Sequence, residues 1–465
     1  MAGLLDGLEI GKRALFTNQL WLNTIGHNIA NVNTPGYSRQ RVDIHPTDPQ
    51  DSPQGSIGTG VEATGIRQVR DLFLNQQYRN TNKSLGQWTA RDKTLSQIEA
   101  LFNEPKPGSL SDLLDKFWAS WSGLSVDPTL TSARTDLVAQ TKMLTGGFNR
   151  IYNQLQDLSK SVDNDIVLSI DKVNQIASDI ATLNQQISRS ELGGQTANDL
   201  RDRRDYLIDQ LSEYVDVNVR EQKNNTTTVY IGSLAIVDGT SSYKIGTRKI
   251  NSGEMTTNQI VWEGTTKEIK NFDGQLKGLI DTRDSIVPQY MGLLDEMAQG
   301  LITSVNAIHQ TGYGLSDSTG LNFFDPLKFG AATISINSDI ERDNSLIAAA
   351  GAEGQPGDNS KALAISYLRN SSVMLGGTAS ISEFYSSMIG KIGVEASKAK
   401  NSKDNYELLA GQVDSARQSI QGVSLDEEMT QMIKYQHAFD AAARVITTMD
   451  QALATIIQEM GIVGR

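Results

Sequence analysis

Apolar side chains return every three or four positions through the opening segment: Leu4, Leu8, Leu15, Leu22, Ile25, Ile29 and Val32, with Gly11 and Asn18 in the same series. That spacing predicts an amphipathic helix from Gly3 to Asn33. Asn33-Thr34-Pro35-Gly36 then supplies turn residues that cannot continue it, so Asn33, Pro35 and Gly36 are read as a functional turn after the first helix. The stretch to His45 reads as extended, and a Pro/Gly/Ser-rich connector follows from Pro46 to Gly60. A second helical region starts near Asp71, breaks at 103–109 and resumes with Leu110, Leu113, Leu114, Phe117, Trp118 and Trp121, which are core candidates. Asp127-Pro128 has the chemistry of an N-cap followed by a first-turn proline. Beyond it lies the longest apolar line in the chain, from Leu144 through Phe148, Ile151, Leu155, Leu158, Val162, Ile166, Ile170, Val173, Ile176, Ile180 and Leu183 to Ile187. Its mean step is about 3.6 residues, that of an ordinary straight helix. Gly193-Gly194 ends it, and a helix from about Thr196 to Tyr214 folds back as an αα-hairpin.

At Val215 the period changes from helical to alternating: Val215, Val217 and Val219 interleave with polar residues, and short β-rich runs continue to about Phe272. Helical spacing returns from Leu276 to Ile308, followed by a loop-rich stretch with one more strand expected at Thr333–Asn337. Ser380-x-x-Glu383 is a capping box opening a helix to roughly Gln421. The last segment carries the most regular pattern: Met432, Tyr435, Phe439, Ala442, Ile446, Met449, Leu453, Ile456, Met460 and Val463 alternate by three and four. The mean step of about 3.4 lies near the 3.5 of a left-handed coiled coil.

These patterns predict a mainly α fold. Residues 1–45 and 422–465 would form a terminal coiled-coil assembly domain, and 46–214 with 273–421 a long-helix bundle that includes a loop-rich stretch at 312–378. Residues 215–272 would be a small inserted β-rich domain. A lone helix with one apolar stripe is marginal in water, so the two terminal stripes are natural partners for each other. The candidate interface residues are Leu15, Leu22, Ile25 and Ile29 from the first helix, with Met432, Phe439, Ile446, Met449, Leu453 and Ile456 from the last. Gly3, Gly7 and Gly11 weaken the first helix by about 1 kcal/mol each relative to alanine. Both ends are therefore expected to order only when neighbouring subunits cover them. Periodicity alone equally allows two helices packed inside one stable domain.

Composition narrows the chemistry. The formal net charge is −12, which repels phosphate, and the arginines near 200 alternate with Asp199, Asp202 and Asp205 as a solvated helix face would. No nucleic acid is expected as a partner. The chain has no cysteine, which excludes disulfides and thiolate chemistry. The four histidines are scattered, no HExxH or Walker pattern occurs, and Gly58–Ala63 matches GxGxxA without a strand before it. Two Ser-x-x-Lys strings fall inside predicted helices. Glu427-Glu428 complements the dipole at the start of the last helix. No catalytic residue, cofactor or metal is expected. Asp6 and Glu9 stand where a secretory signal needs basic residues, and no run of about 18 apolar residues could span a membrane.

Asn23–Val42 (NTIGHNIANVNTPGYSRQRV) resembles the N-terminal signature of flagellar rod, hook and hook-associated proteins, and its NTPGYSRQ ending is similar to the hook-associated protein 1 family. Gly422–Ile457 resembles that family's closing helix. Three internal stretches support the narrower match: Leu183–Ser212, Gly274–Asp284 with the helix after it, and Gly357–Ile365. The resemblance implies a non-enzymatic axial protein of the flagellum. It would leave the cell through the flagellar type III channel without a cleaved leader, after a cytosolic export chaperone had bound its C-terminal helices. It would then polymerise as a helical homo-oligomer at the distal hook end, as adaptor between the hook protein and the next junction protein on the filament side. In that setting the terminal helices form an inner tube, the bundle an outer shell and the β domain an exposed tip. The alternatives left open are another axial component of hook or distal rod, a cytosolic coiled-coil scaffold, and an axial protein with an enzymatic insertion.

Overall fold

The computed structural model describes residues 2–52, 55–102, 104, 106–252, 255–269 and 272–459. Helix α1 (Ala2–Ala30) ends at the Asn33–Gly36 turn and is followed by strand β1 (Gln40–Pro46). The connector expected at 46–60 is not an unstructured loop. It contains a small hairpin, β2 (Gln50–Ser52) with β3 (Gly55–Ile57), and leads into β4 (Val61–Gln68), which pairs antiparallel with β1 from Gln40↔Gln68 to Pro46↔Val61. Most of this ribbon meets water on both faces, so its residues need no apolar alternation and leave little trace in the sequence.

Helices α2 (Leu72–Phe102), α3 (Leu110–Val126) and α4 (Thr131–Ser190) come next. The cap expected at Asp127 lies elsewhere: Asp127 ends α3 and accepts the Thr129 N–H at 3.0 Å, and α4 starts three residues later than a cap there would place it. Arg134 holds this turn outside the helix by donating from Nε to the Pro128 carbonyl at 2.8 Å, while its Nη1 donates to the carbonyls of Asn344 and Ile347. The hairpin closes with α5 (Asn198–Tyr214).

The β insertion is a meander of β5 (Val217–Glu221), β6 (Thr227–Ile231), β7 (Leu234–Asp238) and β8 (Ser241–Ser242), beside a hairpin of β9 (Ile245–Ser252) and β10 (Met255–Trp262). Two asparagines of α4 tie it down. Asn184 donates to the carbonyls of Thr227 and Gly239, and Asn174 exchanges two hydrogen bonds with the backbone of Ile245. Helix α6 (Gly274–Asp281) runs through one π turn at Thr282–Ile286 into α7 (Val287–His309).

No strand forms at 333–337. A single bridge, Phe324↔Ile336, stands there, and the N–H groups of Thr333 and Ile334 turn back to donate to the Gly330 carbonyl. Asn149 donates to the carbonyl of Ala331, and Asn306 both donates to the carbonyl of Phe324 and accepts from its N–H. The same loop region carries α8 (Ser338–Arg342) and α9 (Ser360–Tyr367). The capping box forms as the sequence predicts: the Glu383 N–H donates to Ser380 Oγ at 3.2 Å, and the Ser380 N–H donates to Glu383 Oε2 at 2.8 Å. It opens α10 (Ile381–Gln421), which lies antiparallel along α2, and α11 (Leu425–Glu459) completes the chain.

The architecture is mainly α, as the periodicity requires. Two apolar cores share α4. Leu144, Phe148, Ile151 and Leu155 pack with Phe117, Trp118, Trp121, Phe323, Phe324 and α7. Val162, Ile166, Ile170, Val173, Ile176 and Ile180 pack with α5, α6 and the β insertion, and Leu158 touches both groups.

One buried group gives the first core a pH dependence. His309 is 1% exposed; its Nδ1–H donates to the Leu321 carbonyl at 2.7 Å and its Nε2 accepts the Ala348 N–H at 2.9 Å. The backbone partners thus fix a neutral tautomer, and burial pushes its pKa down to about 4. Because the folded value lies below the unfolded one, this contribution is intact above about pH 6.5 and is lost as pH falls towards 4, by about 3 kcal/mol in all. Urea unfolding across pH 7 to 4 should show that extra loss in the natural protein and not in His309→Gln, whose amide can donate and accept in the same two directions.

Candidate assembly interface

Helices α1 and α11 lie antiparallel. Trp21 stacks on Tyr435 with ring centroids 4.6 Å apart and planes 8° from parallel, and towards the free ends Gly11 faces Ile446 and Gly7 faces Met449. A Cβ at Gly11 would lie 2.9 Å from Ile446 Cγ1, and one at Gly7 3.0 Å from Met449 Cε. The glycines that weaken α1 as a helix are what let the two backbones approach.

Of the predicted interface residues, Ile25 is fully buried. Leu15, Leu22, Ile29, Met432, Phe439, Ile446, Met449, Leu453 and Ile456 are half-buried along the pair, and Met460 and Val463 lie outside the described residues. Asn33, Pro35 and Gly36 are exposed in the turn. Gly36 has φ 79°, and a Cβ there would fall 2.7 Å from Tyr206 Cβ, so this position admits only glycine.

The seam is closed within one chain, and another apolar face stays open. Leu5 (57% exposed) and Phe16 (62%) on α1, with Met429 (50%), Ile433 (53%) and Ile457 (73%) on α11, project from the pair into solvent. The seam-centred pattern missed them because they are the apolar residues left over once the three–four rhythm is assigned. That remainder is the signal that could have found them.

Where the pair meets the body, a buried polar clasp sets its position. Asn28 is 1% exposed and fully used: its amide donates to the Gln40 carbonyl and to Glu428 Oε2, both at 3.0 Å, while its oxygen accepts from the Gln40 N–H at 2.9 Å and the Tyr37 hydroxyl at 2.8 Å. Glu428, 2% exposed, also takes Arg39 Nε at 2.6 Å, and Arg39 reaches Glu427 at 2.7 Å. These glutamates do more than complement a helix dipole; they fasten α11 to the segment that follows α1. Burial, reinforced by the carboxylates of Asp199, Asp202 and Glu428, pushes the Tyr37 hydroxyl well above the usual tyrosine range and keeps it a neutral donor.

The acidic-basic run of α5 is only partly a solvated face: Asp199 and Arg203 are exposed, Asp202 and Arg204 are buried. Asp202 is buried and accepts from the Ser38 N–H at 2.9 Å, the Ser38 hydroxyl at 2.5 Å, Gln68 Nε2 at 2.7 Å and Arg70 at 2.7 Å. Burial raises its pKa, and Arg70 and Ser38 oppose that rise. Alternating charge looks the same in sequence whether water or another helix faces it. Among the described residues, no group of three or more His, Asp and Glu is placed to hold a metal ion, and no helix is long and apolar enough to cross a membrane.

A relative from Bacillus subtilis (strain 168), named flagellar hook-associated protein 1, is 32% identical over 508 aligned positions that span all of both chains. The chain belongs to the flagellar hook-associated protein 1 family. The proteins of that name from Escherichia coli (strain K12) and Salmonella typhimurium are 23% and 24% identical, over 98% and 96% of this chain and nearly all of their own length. Residues 95–324 match the family described as flagellar hook-associated protein FlgK helical domain. The two ends match wider families: 8–37 that of the flagella basal body rod protein, and 416–459 that of the flagellar basal body rod FlgEFG protein C-terminal region. The two stretches thus shared with rod proteins hold most of α1 and α11. The solved structure of the flagellar hook junction protein FlgK from Burkholderia pseudomallei has the same fold, with TM-score 0.64 and 15% identity over 75% of this chain and all of that one. This family member is accordingly a structural protein of the flagellum.

Asn28→Asp keeps the size of the clasp but removes two donors and sets a carboxylate against Glu428. It should weaken the terminal pair by roughly 2–4 kcal/mol. Amide hydrogen exchange should show faster exchange in α1 and α11 with α4 unchanged.

Proposed function

We propose that this protein is the hook–filament junction subunit of its flagellum, polymerising through the outer apolar face of the α1–α11 pair. The observation that carries this reading is the second face itself. A pair whose seam is already closed still presents Leu5, Phe16, Met429, Ile433 and Ile457, more bulky apolar surface than a pair finished within one subunit needs. Stacking the pair on copies of itself would cover it, and a head-to-tail contact of this kind propagates as a helix.

The division of labour follows. Residues 1–45 and 422–465 form the inner assembly domain, 46–214 and 273–421, including 312–378, the surrounding shell, and 215–272 the outward tip. The hook protein lies on one side of the polymer and the next junction protein on the other, so the subunit acts as an adaptor. The chain passes unfolded through the flagellar type III channel, a route with which the absence of cysteine, and so of disulfides, agrees. Before export, a cytosolic chaperone covers the apolar surface of the C-terminal helices, of which Met429 and Ile433 are the most accessible elbow-side members.

Two substitutions separate the seam from the stacking face. Leu453→Asp, inside the seam, should unpair α1 from α11 and abolish assembly while the body stays folded. Ile433→Asp, outside it, should leave the monomer's helix content and unfolding midpoint nearly unchanged. It should still block polymerisation, because burying an unpaired carboxylate costs several kcal/mol. Normal filament attachment and motility with Ile433→Asp and Phe16→Asp combined would refute the stacking face.

A further inference from the structure

Helix α5 places Asp202, Asp205 and Asp209 on one face, at spacings of three and four. Each receives an arginine, and the three arginines come from three different elements. Arg70, just after β4, binds Asp202 at 2.7 Å and also pairs with Asp205. Arg79 of α2 binds Asp209 at 2.7 Å and approaches Asp205 at 3.8 Å. Arg417, in the last turns of α10, binds Asp209 at 2.5 Å and Asp414 at 2.7 Å, with its guanidinium 4.1 Å from the centre of the Tyr78 ring. The side chains of this row are between 5% and 30% exposed, so water screens it little.

The row sits where the chain passes between body and terminal pair. One crossing runs through Tyr37, Ser38 and Arg39; Ser38 hangs on Asp202, and the Arg39 N–H donates to the Gln421 carbonyl at 2.8 Å. The other runs through Gly422, Val423 and Ser424, one turn beyond Arg417, and Gln421 beside it donates to Asn75 Oδ1 of α2 at 3.0 Å. Few apolar contacts could fix an angle here, because the crossing segments are short and polar. Planar guanidinium forks on carboxylates are directional, and a row of them defines an orientation as well as an attraction.

We propose that the aspartate row of α5 is an electrostatic latch that fixes the angle between the terminal helix pair and the helical body, so that each subunit acts as one rigid lever. Arg417 and Asp209 are its elbow end. Asp202 is its link, through Ser38 and Arg39, to Glu427 and Glu428 of α11. The device belongs to the single subunit and is separable from the assembly reading; its failure would leave that reading standing.

The chain has no native cysteine, so spin labels can be placed at will. With Gln451→Cys on α11 and Lys172→Cys on α4, both exposed positions, pulsed electron–electron distance measurement on the full-length monomer reports the angle. The unaltered latch should give one narrow distribution. Arg417→Gln, Asp209→Asn and the triple change Asp202→Asn, Asp205→Asn, Asp209→Asn should broaden it progressively, about two-fold or more for the triple, as a freed hinge would. Helix content and the unfolding midpoint of the body should hold for the single variants, and Arg417→Lys, which keeps the charge, should fall between the natural residue and glutamine. Should the triple variant fail to fold, the two single variants decide. Unchanged widths in folded Arg417→Gln and Asp209→Asn would overturn the latch.

Discussion

The contact on which the rest depends is the clasp of Asn28, Glu428 and Arg39. It joins residues from opposite ends of the sequence in a setting where the buried Asn28 amide and Glu428 carboxylate are fully paired. The apolar seam of α1 and α11 supplies adhesion, but a stripe of leucine, isoleucine and methionine tolerates sliding by a heptad. A saturated amide held by a buried carboxylate does not, because any other register strands both groups without water. The clasp therefore sets which residues of the pair face inward and, by subtraction, which bulky side chains stay exposed.

The body gives that clasp something stiff to hold. Helix α4 passes through both apolar cores, so the β insertion, the α5–α6 layer and the aromatic cluster around Phe117 and Trp121 are fixed to one rod. The asparagines of α4 bond only backbone groups of the insertion, which makes the attachment insensitive to the insertion's side chains. From this rod, α5 turns Asp202, Asp205 and Asp209 toward Arg70, Arg79 and Arg417, beside the segments that lead into the terminal pair.

How much was legible depended on what each residue faces. The long α4, the capping box at Ser380, the change of period at Val215 and the terminal seams all rest on apolar repeats or cap chemistry, and both are local. Of the β1–β4 ribbon only the extended stretch up to His45 was legible, because most of its residues are wet on both faces. The strand anticipated at 333–337 has the right alternation, yet its first residues turn back on the Gly330 carbonyl and a single bridge, Phe324↔Ile336, forms. Asp127-Pro128 has the chemistry of a helix start, but Arg134 claims the Pro128 carbonyl and delays it. Asp199, Asp202 and Asp205 read as solvated; Asp202 is instead at the centre of a buried network, which no single stretch of sequence reveals.

The amino-acid sequence by itself determined where the long helices and the β insertion lie, that both ends carry apolar stripes, and which family the chain resembles. Those are properties of short windows, where side-chain spacing and backbone preference act alone. Only the tertiary structure decided that the seam closes within the subunit, that Gly7 and Gly11 serve close approach, and that Asp202 of α5 and Glu428 of α11 are buried partners. Each of those outcomes requires two segments distant along the chain to meet. The energy of a polar group depends chiefly on whether water or a partner stands opposite it, and that is fixed only when the chain has folded.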